Sequence, residues 1–294
     1  MDGYDWNQRV EYLKSSRRTM WNQDYMAFLV EKVWRIRTPV DIVDFGCGMG
    51  FLGAMLLPLL PKGSTYTGID KGQKLLKEAT RLFSNSPYAT AFVEADLLEY
   101  QPVEQYDIAI CQAVLQHIPE SVRVLEKMRD SVRPGGRVIC MECDRNIANA
   151  GLYFDGMDYE RLNNLGILQK LWLRDRKNTG GDHTIGLKIP VYMQQIGLNN
   201  IGVRLNDRVN FINAGGDEAA YQKEYDGFVA GGWGGPPKNK EETVKGLMER
   251  GLTKEEAAYQ FDCETMYNAY INEHPDSAHI VHALSLVISF GTVG

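Results

Sequence analysis

The sequence has little of what marks secreted, membrane-spanning or nucleic-acid-binding proteins. Its 294 residues include only five cysteines, an odd number that favours reduced cytoplasmic thiols over a disulfide framework. No apolar run approaches the ~20 residues that a membrane-spanning helix needs, and the start of the chain lacks the basic and apolar segments of a signal peptide. The 32 basic residues are fewer than the 38 acidic ones, and this net charge of −6 disfavours nucleic acid as a partner. We therefore expect a cytoplasmic protein that is not inserted in a membrane.

What is present is enough apolar sequence for a proper core. The chain is 44% hydrophobic and 24% charged, which excludes wholesale disorder. At about 150 residues per domain, the length allows one large domain or two modest ones.

Short apolar segments alternate with helical segments from residue 40 onward. Strands are predicted over residues 40–45, 65–69, 91–95, 106–111 and 137–142. Helices are predicted between them over residues 51–60, 71–83 and 120–132. Strands separated by helices are typical of βαβ units and a parallel sheet. With two later strands, over residues 201–205 and 284–290, the prediction is an α/β fold: a doubly wound, mostly parallel, seven-stranded sheet with helices on both faces and a helical cap.

Three segments are candidate helical cover over the ligand edge of the sheet: residues 1–38, 152–178 and 213–283. Apolar and aromatic residues recur at three- and four-residue steps through residues 1–38. Residues 213–283 are interpreted as a helical insertion that contains a glycine- and proline-rich hinge at 231–237. The insertion is either a mobile lid or a dimerisation element of a homodimer. The predicted core domain is then residues 39–212 plus 284–294.

A glycine-rich turn follows the first predicted strand, and two cofactor patterns overlap in it. Gly48-x-Gly50-x-x-Gly53 fits the dinucleotide fingerprint, and Asp70 follows about 20 residues later, where a ribose-binding carboxylate is expected. Asp44-x-Gly46-x-Gly48-x-Gly50 fits a pattern for S-adenosylmethionine instead. Glycine at such a turn lets a ligand approach the backbone closely, because no β-carbon stands in the way. The turn alone leaves both cofactors open.

The surroundings of the turn favour the methyl donor, because the sequence resembles the class I S-adenosylmethionine-dependent methyltransferases over roughly residues 40–143. The matching segments are Asp44 to Gly50, Gly68-Ile69-Asp70, Glu94-Ala95-Asp96, Asp107 to Pro119 and Arg133-Pro134-Gly135-Gly136. The resemblance implies that Asp70 binds the ribose hydroxyls and that Asp96 meets the adenine amino group. The residues it assigns to S-adenosylmethionine are Asp44, Gly46, Gly48, Gly50, Asp70, Asp96, Leu97 and Gln112.

The resemblance implies an enzyme that moves a methyl group from S-adenosylmethionine to an oxygen, nitrogen or carbon nucleophile of a small-molecule acceptor. His117 follows the fourth strand, near the expected position of the methyl group, and is the candidate catalytic base. A hydrogen-bonded positioning role for His117 is an equal alternative, and His183 is a weaker candidate base. Two other functions stay open: an NAD(P)-dependent oxidoreductase, and a non-catalytic cofactor-binding regulatory protein.

No metal site is predicted. Cys140 and Cys143 have CxxC spacing, but residues three apart on a strand face opposite sides, and no second CxxC pair exists. His279 and His282 lie three apart on a segment interpreted as a helix, without the HExxH pattern of zinc enzymes.

Overall fold

The computed structural model describes residues 6–8, 10, 13, 20–236 and 238–294. Much of the helical cover predicted for the first 20 residues therefore lies outside the described residues. Within the described part of the chain, no helix is both long enough and apolar enough to cross a membrane.

The core of the molecule is one seven-stranded sheet. Its strands are β1 (Asp41–Phe45), β2 (Thr65–Asp70), β3 (Ala89–Glu94), β4 (Tyr106–Gln112), β5 (Val132–Cys143), β7 (Asn199–Leu205) and β10 (Leu286–Thr292). They are arranged in the order β3-β2-β1-β4-β5-β10-β7. Neighbours from β3 to β5 are parallel, whereas β10 is antiparallel to both β5 and β7. The predicted mostly parallel seven-stranded sheet is confirmed.

Helices cover both faces of this sheet. They are α1 (Gln23–Phe28), extended by a π-helical turn at Leu29–Val33, α2 (Phe51–Leu56), α3 (Gln73–Phe83), α4 (Ser121–Asp130) and α8 (Ile189–Gln195). Between β5 and α8 the chain also forms α5 (Arg145–Ala150), α6 (Tyr159–Leu162) and α7 (Leu165–Thr179). Consecutive residues of β4 show the two layers, because side chains alternate across a strand. Ile110 packs in one core cluster with Leu52 of α2, and Ala109 packs in the opposite cluster with Leu125 of α4. The doubly wound arrangement follows from this alternation.

A second, three-stranded antiparallel sheet lies outside the main one and was not predicted. Its strands are β6 (Leu152–Phe154), β9 (His279–Ala283) and β8 (Val209–Asn213), in the order β6-β9-β8. His279 and His282 therefore lie on a strand, and the helical interpretation of that segment was wrong. The reason is tertiary: Ile280 is fully buried, and the β9 backbone pairs with a strand on each side.

The segment between β8 and β9 is mainly helical. It contains α9 (Glu218–Ala230), α10 (Lys240–Glu249) and α11 (Lys254–Glu273), and the capping box at the start of α11 joins Thr253 to Glu256. Within the glycine-rich stretch, Trp233 stacks on Phe228 with ring centroids 5.0 Å apart and contacts Tyr267 at 5.3 Å. The indole thus joins this stretch to both α9 and α11.

Candidate active site

The glycine turn connects β1 to α2 and needs glycine for its backbone shape. Gly46 and Gly48 have φ angles of 79° and 53°, in the left-handed region that disfavours other residues. The backbone N–H groups of Gly46 and Cys47 both donate to the carbonyl of Ile69, at 2.8 and 2.9 Å. The turn is therefore held against the carboxyl end of β2.

One cleft at this edge of the sheet brings together four of the eight predicted cofactor residues. Asp44, Gly46, Gly48 and Gln112 line it, together with apolar residues of the turn and α2 and with Leu13. A β-carbon built on Gly48 would meet no atom within 4 Å, so the backbone there is open to a ligand. The cleft lies where open α/β sheets bind their ligands.

Asp70 joins the glycine turn to the end of β2. Its Oδ2 accepts a hydrogen bond from the Gly48 N–H at 2.9 Å, and its Oδ1 accepts one from the Gly72 N–H at 2.7 Å. Burial raises the pKa of Asp70, although these two amides favour the charged form. Each carboxylate oxygen keeps a second lone pair for a ligand hydroxyl.

Asp44 is only 2% exposed at the end of β1. The Tyr66 hydroxyl donates to its Oδ2 at 2.5 Å. Burial raises the pKa of Tyr66 strongly, and the neighbouring Asp44 charge raises it further. Asp44 therefore lines the cleft as a hydrogen-bond acceptor, and the buried Tyr66 hydroxyl fixes the position of its side chain.

Gln112 ends β4 and is covered by the segment that precedes α1. The Trp21 indole donates to its Oε1 at 3.2 Å, and its own Nε2 donates to the Met20 sulfur at 3.4 Å. Cover from this N-terminal region thus lies directly on a predicted cofactor residue.

Besides Asp70, three predicted residues lie outside the lining of the cleft. A β-carbon on Gly50 would lie 2.9 Å from the Phe83 ring, so this glycine is packed against α3. Leu97 is buried in the core cluster on the α4 face. Asp96 is exposed and accepts the Leu98 N–H at 2.9 Å, while the neighbouring Ala95 N–H donates to the carbonyl of Asp70 at 3.0 Å. Of the three, only Asp96 presents an exposed carboxylate beside the Asp70 backbone.

His117 lies in a group of aromatic rings beyond the end of β4. It ends a 3-10 turn at Leu115–His117. Its ring is 5.1 Å from that of Trp6 and 5.9 Å from that of His183, both edge-to-face. The structure therefore brings together the two candidate bases of the sequence analysis, from segments far apart in the chain.

Glu142 on β5 was missed by the sequence analysis. Its side chain is fully buried, and its Oε1 accepts the backbone N–H groups of Val114 and Leu115, each at 2.9 Å. Among the described residues its Oε2 has no hydrogen-bond partner. Burial raises the pKa of Glu142 to about 7, against the effect of the loop amides. The sequence does contain a signal for Glu142, because an acidic residue inside an otherwise apolar strand is unusual.

The two remaining metal candidates do not form ligand sets. Cys140 packs in the α4-side core cluster and Cys143 packs against the opposite one, as the strand spacing predicts. Within residues 6–8, 10, 13, 20–236 and 238–294, no three potential His, Cys, Asp or Glu ligands lie close enough to hold an ion.

A doubly wound sheet with a glycine turn after β1 and a carboxylate after β2 defines a ligand-binding α/β domain. A family described as a methyltransferase domain matches residues 43–138. The ubiquinone biosynthesis O-methyltransferase of Pseudomonas putida is 33% identical over 121 residues, covering 40% of this chain and 50% of the relative. That of Pseudomonas savastanoi is 35% identical over 109 residues, covering 36% and 45%. The chain thus spans about half the length of the curated relatives it matches.

The fold has a solved counterpart. The structure of Haemonchus contortus phosphoethanolamine N-methyltransferase 2 in complex with S-adenosyl-L-methionine aligns with a TM-score of 0.53. The alignment covers 99% of this chain and 60% of the other at 12% identity, so the likeness concerns the fold alone. Residues 43–138 are therefore similar to a methyltransferase domain.

Proposed function

We propose that the protein is an enzyme that transfers a methyl group from S-adenosylmethionine to an oxygen, nitrogen or carbon nucleophile of a small molecule. The observation that carries the proposal is the contact between Asp70 Oδ2 and the Gly48 N–H, at 2.9 Å. It joins a ligand-accessible glycine turn to a partly buried carboxylate at the binding edge of the sheet. The family match over residues 43–138 supports the same function.

The residues in and beside the cleft fit the proposed cofactor. The open backbone at Gly48 and the acceptor oxygens of Asp70 suit a ribose and an amino-acid chain, and Asp44 and Asp70 carry negative charge toward a cationic sulfonium. Asp96 is the proposed partner of the adenine amino group. When bound, S-adenosylmethionine supplies an electrophilic methyl group and leaves as a neutral thioether. In this proposal, Gly50 and Leu97 shape the walls of the cofactor site through their packing.

Positioning and exclusion of water account for most of the proposed catalysis, since methyl transfer is an in-line displacement. Trp21 and Gln112 close one side of the cleft through their hydrogen bond. His117 is the proposed base for an acceptor that must lose a proton, because it follows directly from the β4 end that carries Gln112. Its ring contact with Trp6 supports a position beneath the N-terminal cover.

The domain organisation and setting are part of the proposal. The core is residues 39–212 plus 284–294, covered by residues 1–38, and 213–283 is a lid or a dimerisation element. Sedimentation velocity distinguishes the two roles of the insertion, because only the second requires a homodimer. All five cysteines are free thiols, which supports a cytoplasmic location.

The test is a calorimetric comparison of S-adenosylhomocysteine with NAD⁺ and NADP⁺ on the purified chain. We expect binding of the first and none of the nucleotides, together with transfer of labelled methyl from S-adenosylmethionine to a small-molecule panel. Binding of NAD⁺ in place of S-adenosylhomocysteine would establish the oxidoreductase alternative. Tight S-adenosylhomocysteine binding with no transfer across the panel would instead favour the regulatory one.

A further inference from the structure

Glu142 places a buried carboxyl group against the loop that runs from the cofactor cleft to His117. One oxygen, Oε1, accepts the N–H groups of both Val114 and Leu115, each at 2.9 Å. Burial raises the pKa of Glu142 to about 7, because a charge away from water costs free energy. An apolar side chain of similar size would avoid this cost, but it would offer the loop no acceptor.

The two N–H groups that Glu142 binds belong to the start of a helical turn. Val114 directly precedes the 3-10 turn at Leu115–His117, and the first N–H groups of such a turn have no partner within it. The residue before a helix commonly supplies the acceptor, as Asp217 does for α9 and Thr253 does for α11. Val114 has no polar side-chain atom and cannot do this. Glu142 therefore caps the turn from a neighbouring strand.

The backbone just before the turn also depends on β5. Ala113 has a φ angle of 54°, in the left-handed region that disfavours residues other than glycine. Such a conformation persists where the surroundings fix it. The Ala113 N–H donates to the Met141 carbonyl at 2.9 Å. Three consecutive N–H groups, those of residues 113, 114 and 115, are thus bound by two neighbouring residues of β5.

One side of this loop contacts the candidate cofactor site. The Val114 side chain occupies the space that a β-carbon on Gly46 would need, at 2.6 Å from its Cγ2 atom. Gln112, which precedes the loop at the end of β4, lines the cleft itself. A displacement of Val114 would therefore change both the packing of the glycine turn and the wall of the cleft.

The other side of the loop carries His117. The His117 N–H donates to the Val114 carbonyl at 3.0 Å, and the Ile118 N–H donates to the Leu115 carbonyl at 3.2 Å. The two residues that Glu142 binds through their N–H groups are thus the two whose carbonyls hold the turn at His117. A single carboxyl oxygen fixes the loop for both purposes.

We propose that Glu142 is a positioning residue for methyl transfer: the reach of its side chain, rather than its charge, holds the loop after β4 in the shape that binds the cofactor and presents His117. The proposal rests on the proposed function. Glu142 is fully buried and is not among the residues that line the cleft, so it acts through the loop. Its Oε2 has no hydrogen-bond partner among the described residues, which leaves Oε1 as the atom that matters.

Two conservative variants separate reach from charge. Glu142→Gln keeps the side-chain length and an acceptor oxygen but has no charge, whereas Glu142→Asp keeps the carboxyl group and is one methylene shorter. The measurement is calorimetric titration with S-adenosylhomocysteine at pH 8, above the pKa of about 7. We expect the Gln variant to stay within about threefold of the wild-type affinity and the Asp variant to lose about tenfold or more.

Asp144→Ala is the matched control. Asp144 is also a buried carboxyl group, two residues farther along the chain, but it accepts the Asn146 N–H of α5 at 3.1 Å. Its loss should lower stability in urea and leave the affinity for S-adenosylhomocysteine unchanged. NMR of the His117 imidazole protons gives a second readout, because the Trp6 ring lies 5.1 Å away. Their chemical shifts should move in Glu142→Asp and stay in place in Glu142→Gln.

Equal affinities of wild type and Glu142→Asp would overturn the proposal. A tenfold loss in Glu142→Gln would also overturn it, because the charge would then be the required property. Should Glu142→Asp not fold, amide hydrogen exchange in Glu142→Gln decides: wild-type protection of Val114 and Leu115 supports the proposal, and loss of that protection contradicts it. A wild-type protein that does not bind S-adenosylhomocysteine would instead contradict the proposed function, and the first titration reveals this.

Discussion

Val114 packs directly against the backbone of Gly46. A β-carbon on Gly46 would lie 2.6 Å from the Cγ2 atom of Val114, so the loop after β4 occupies the space that a side chain in the glycine turn would need. Glu142 holds the same loop from below through the N–H groups of Val114 and Leu115. The turn and the loop that carry the candidate cofactor residues are thus locked together, which leads to the first prediction.

Gly46→Ala should weaken S-adenosylhomocysteine binding at least tenfold and lower the stability of the fold. The variant combines a left-handed backbone, which costs an L-residue about 1–2 kcal/mol, with a collision against Val114. Gly135→Ala is the matched control, because Gly135 also has a positive φ but a β-carbon there would meet nothing within 4 Å. Urea unfolding and calorimetry on both variants check this. Equal losses in the two would contradict the packing argument.

Asp70→Ala should weaken S-adenosylhomocysteine binding by about tenfold or more, since charge-assisted hydrogen bonds contribute roughly 1.5–3 kcal/mol. The change also frees the Gly48 N–H that holds the turn. Asp107→Ala is the control, because its carboxylate pairs with Arg133 at the opposite edge of the sheet. We expect the control to lose stability but keep its affinity. An Asp70→Ala protein with unchanged affinity would remove Asp70 from the site.

Glu142→Gln should change how stability depends on pH. Burial raises the pKa of Glu142 from an ordinary 4.5 to about 7, so the folded state keeps a proton that the unfolded state has released between those values. The free energy of unfolding of the wild type should therefore fall as pH rises from about 4.5 to about 7. The Gln variant lacks this decline and should be roughly 1–3 kcal/mol more stable at pH 8.

Urea unfolding at several pH values measures this difference. Glu99→Gln is the control, because Glu99 is exposed and its replacement should leave the pH profile of the wild type in place. The Cys111 thiol donates a hydrogen bond to Glu142 at 3.7 Å, and burial raises the pKa of this thiol, so it stays neutral between pH 4.5 and 7. Parallel profiles for wild type and Glu142→Gln would show that burial does not raise the pKa of Glu142.

Trp21→Phe should speed the release of S-adenosylhomocysteine several-fold. The Trp21 indole donates to Gln112 across the cleft, and its loss removes one hydrogen bond of about 0.5–1.5 kcal/mol from the closed cover. Trp233→Phe serves as control, since its ring lies in the insertion against Phe228. Stopped-flow dissociation measures the rates. An unchanged rate for Trp21→Phe would mean that the N-terminal segment does not retain the ligand.

Local patterns predicted the main sheet and half of the cleft. Alternating strands and helices indicated seven strands, and the segment around Asp44, Gly46 and Gly48 carried a spacing that only a tight ligand-binding turn needs. Gln112 was assigned through the family resemblance, and the structure brings it to the same cleft. The strands and the glycine turn depend on residues that are close together along the chain, so local sequence patterns can predict them.

Other features depend on contacts between distant residues. In the small sheet β9 pairs with β6 and with β8, each more than 60 residues away along the chain. Without these partners, the histidine spacing in β9 indicated a helix. Leu97 matched a motif by position, yet the side chain packs into the α4-side core. Glu142 was missed because its side chain on β5 binds the loop that follows β4. No spacing within β5 reveals a contact with that loop.

The amino-acid sequence by itself determined the α/β class, the positions of the strands in the motif region and the identity of the glycine turn, because hydrophobic period and backbone-permissive glycines act over a few residues. Only the tertiary structure decided that His117, His183 and Trp172 share one cluster and that a buried acid supports the loop between them and the cleft. Burial and hydrogen-bond pairing depend on which distant segments meet, and these two properties set the pKa of Glu142.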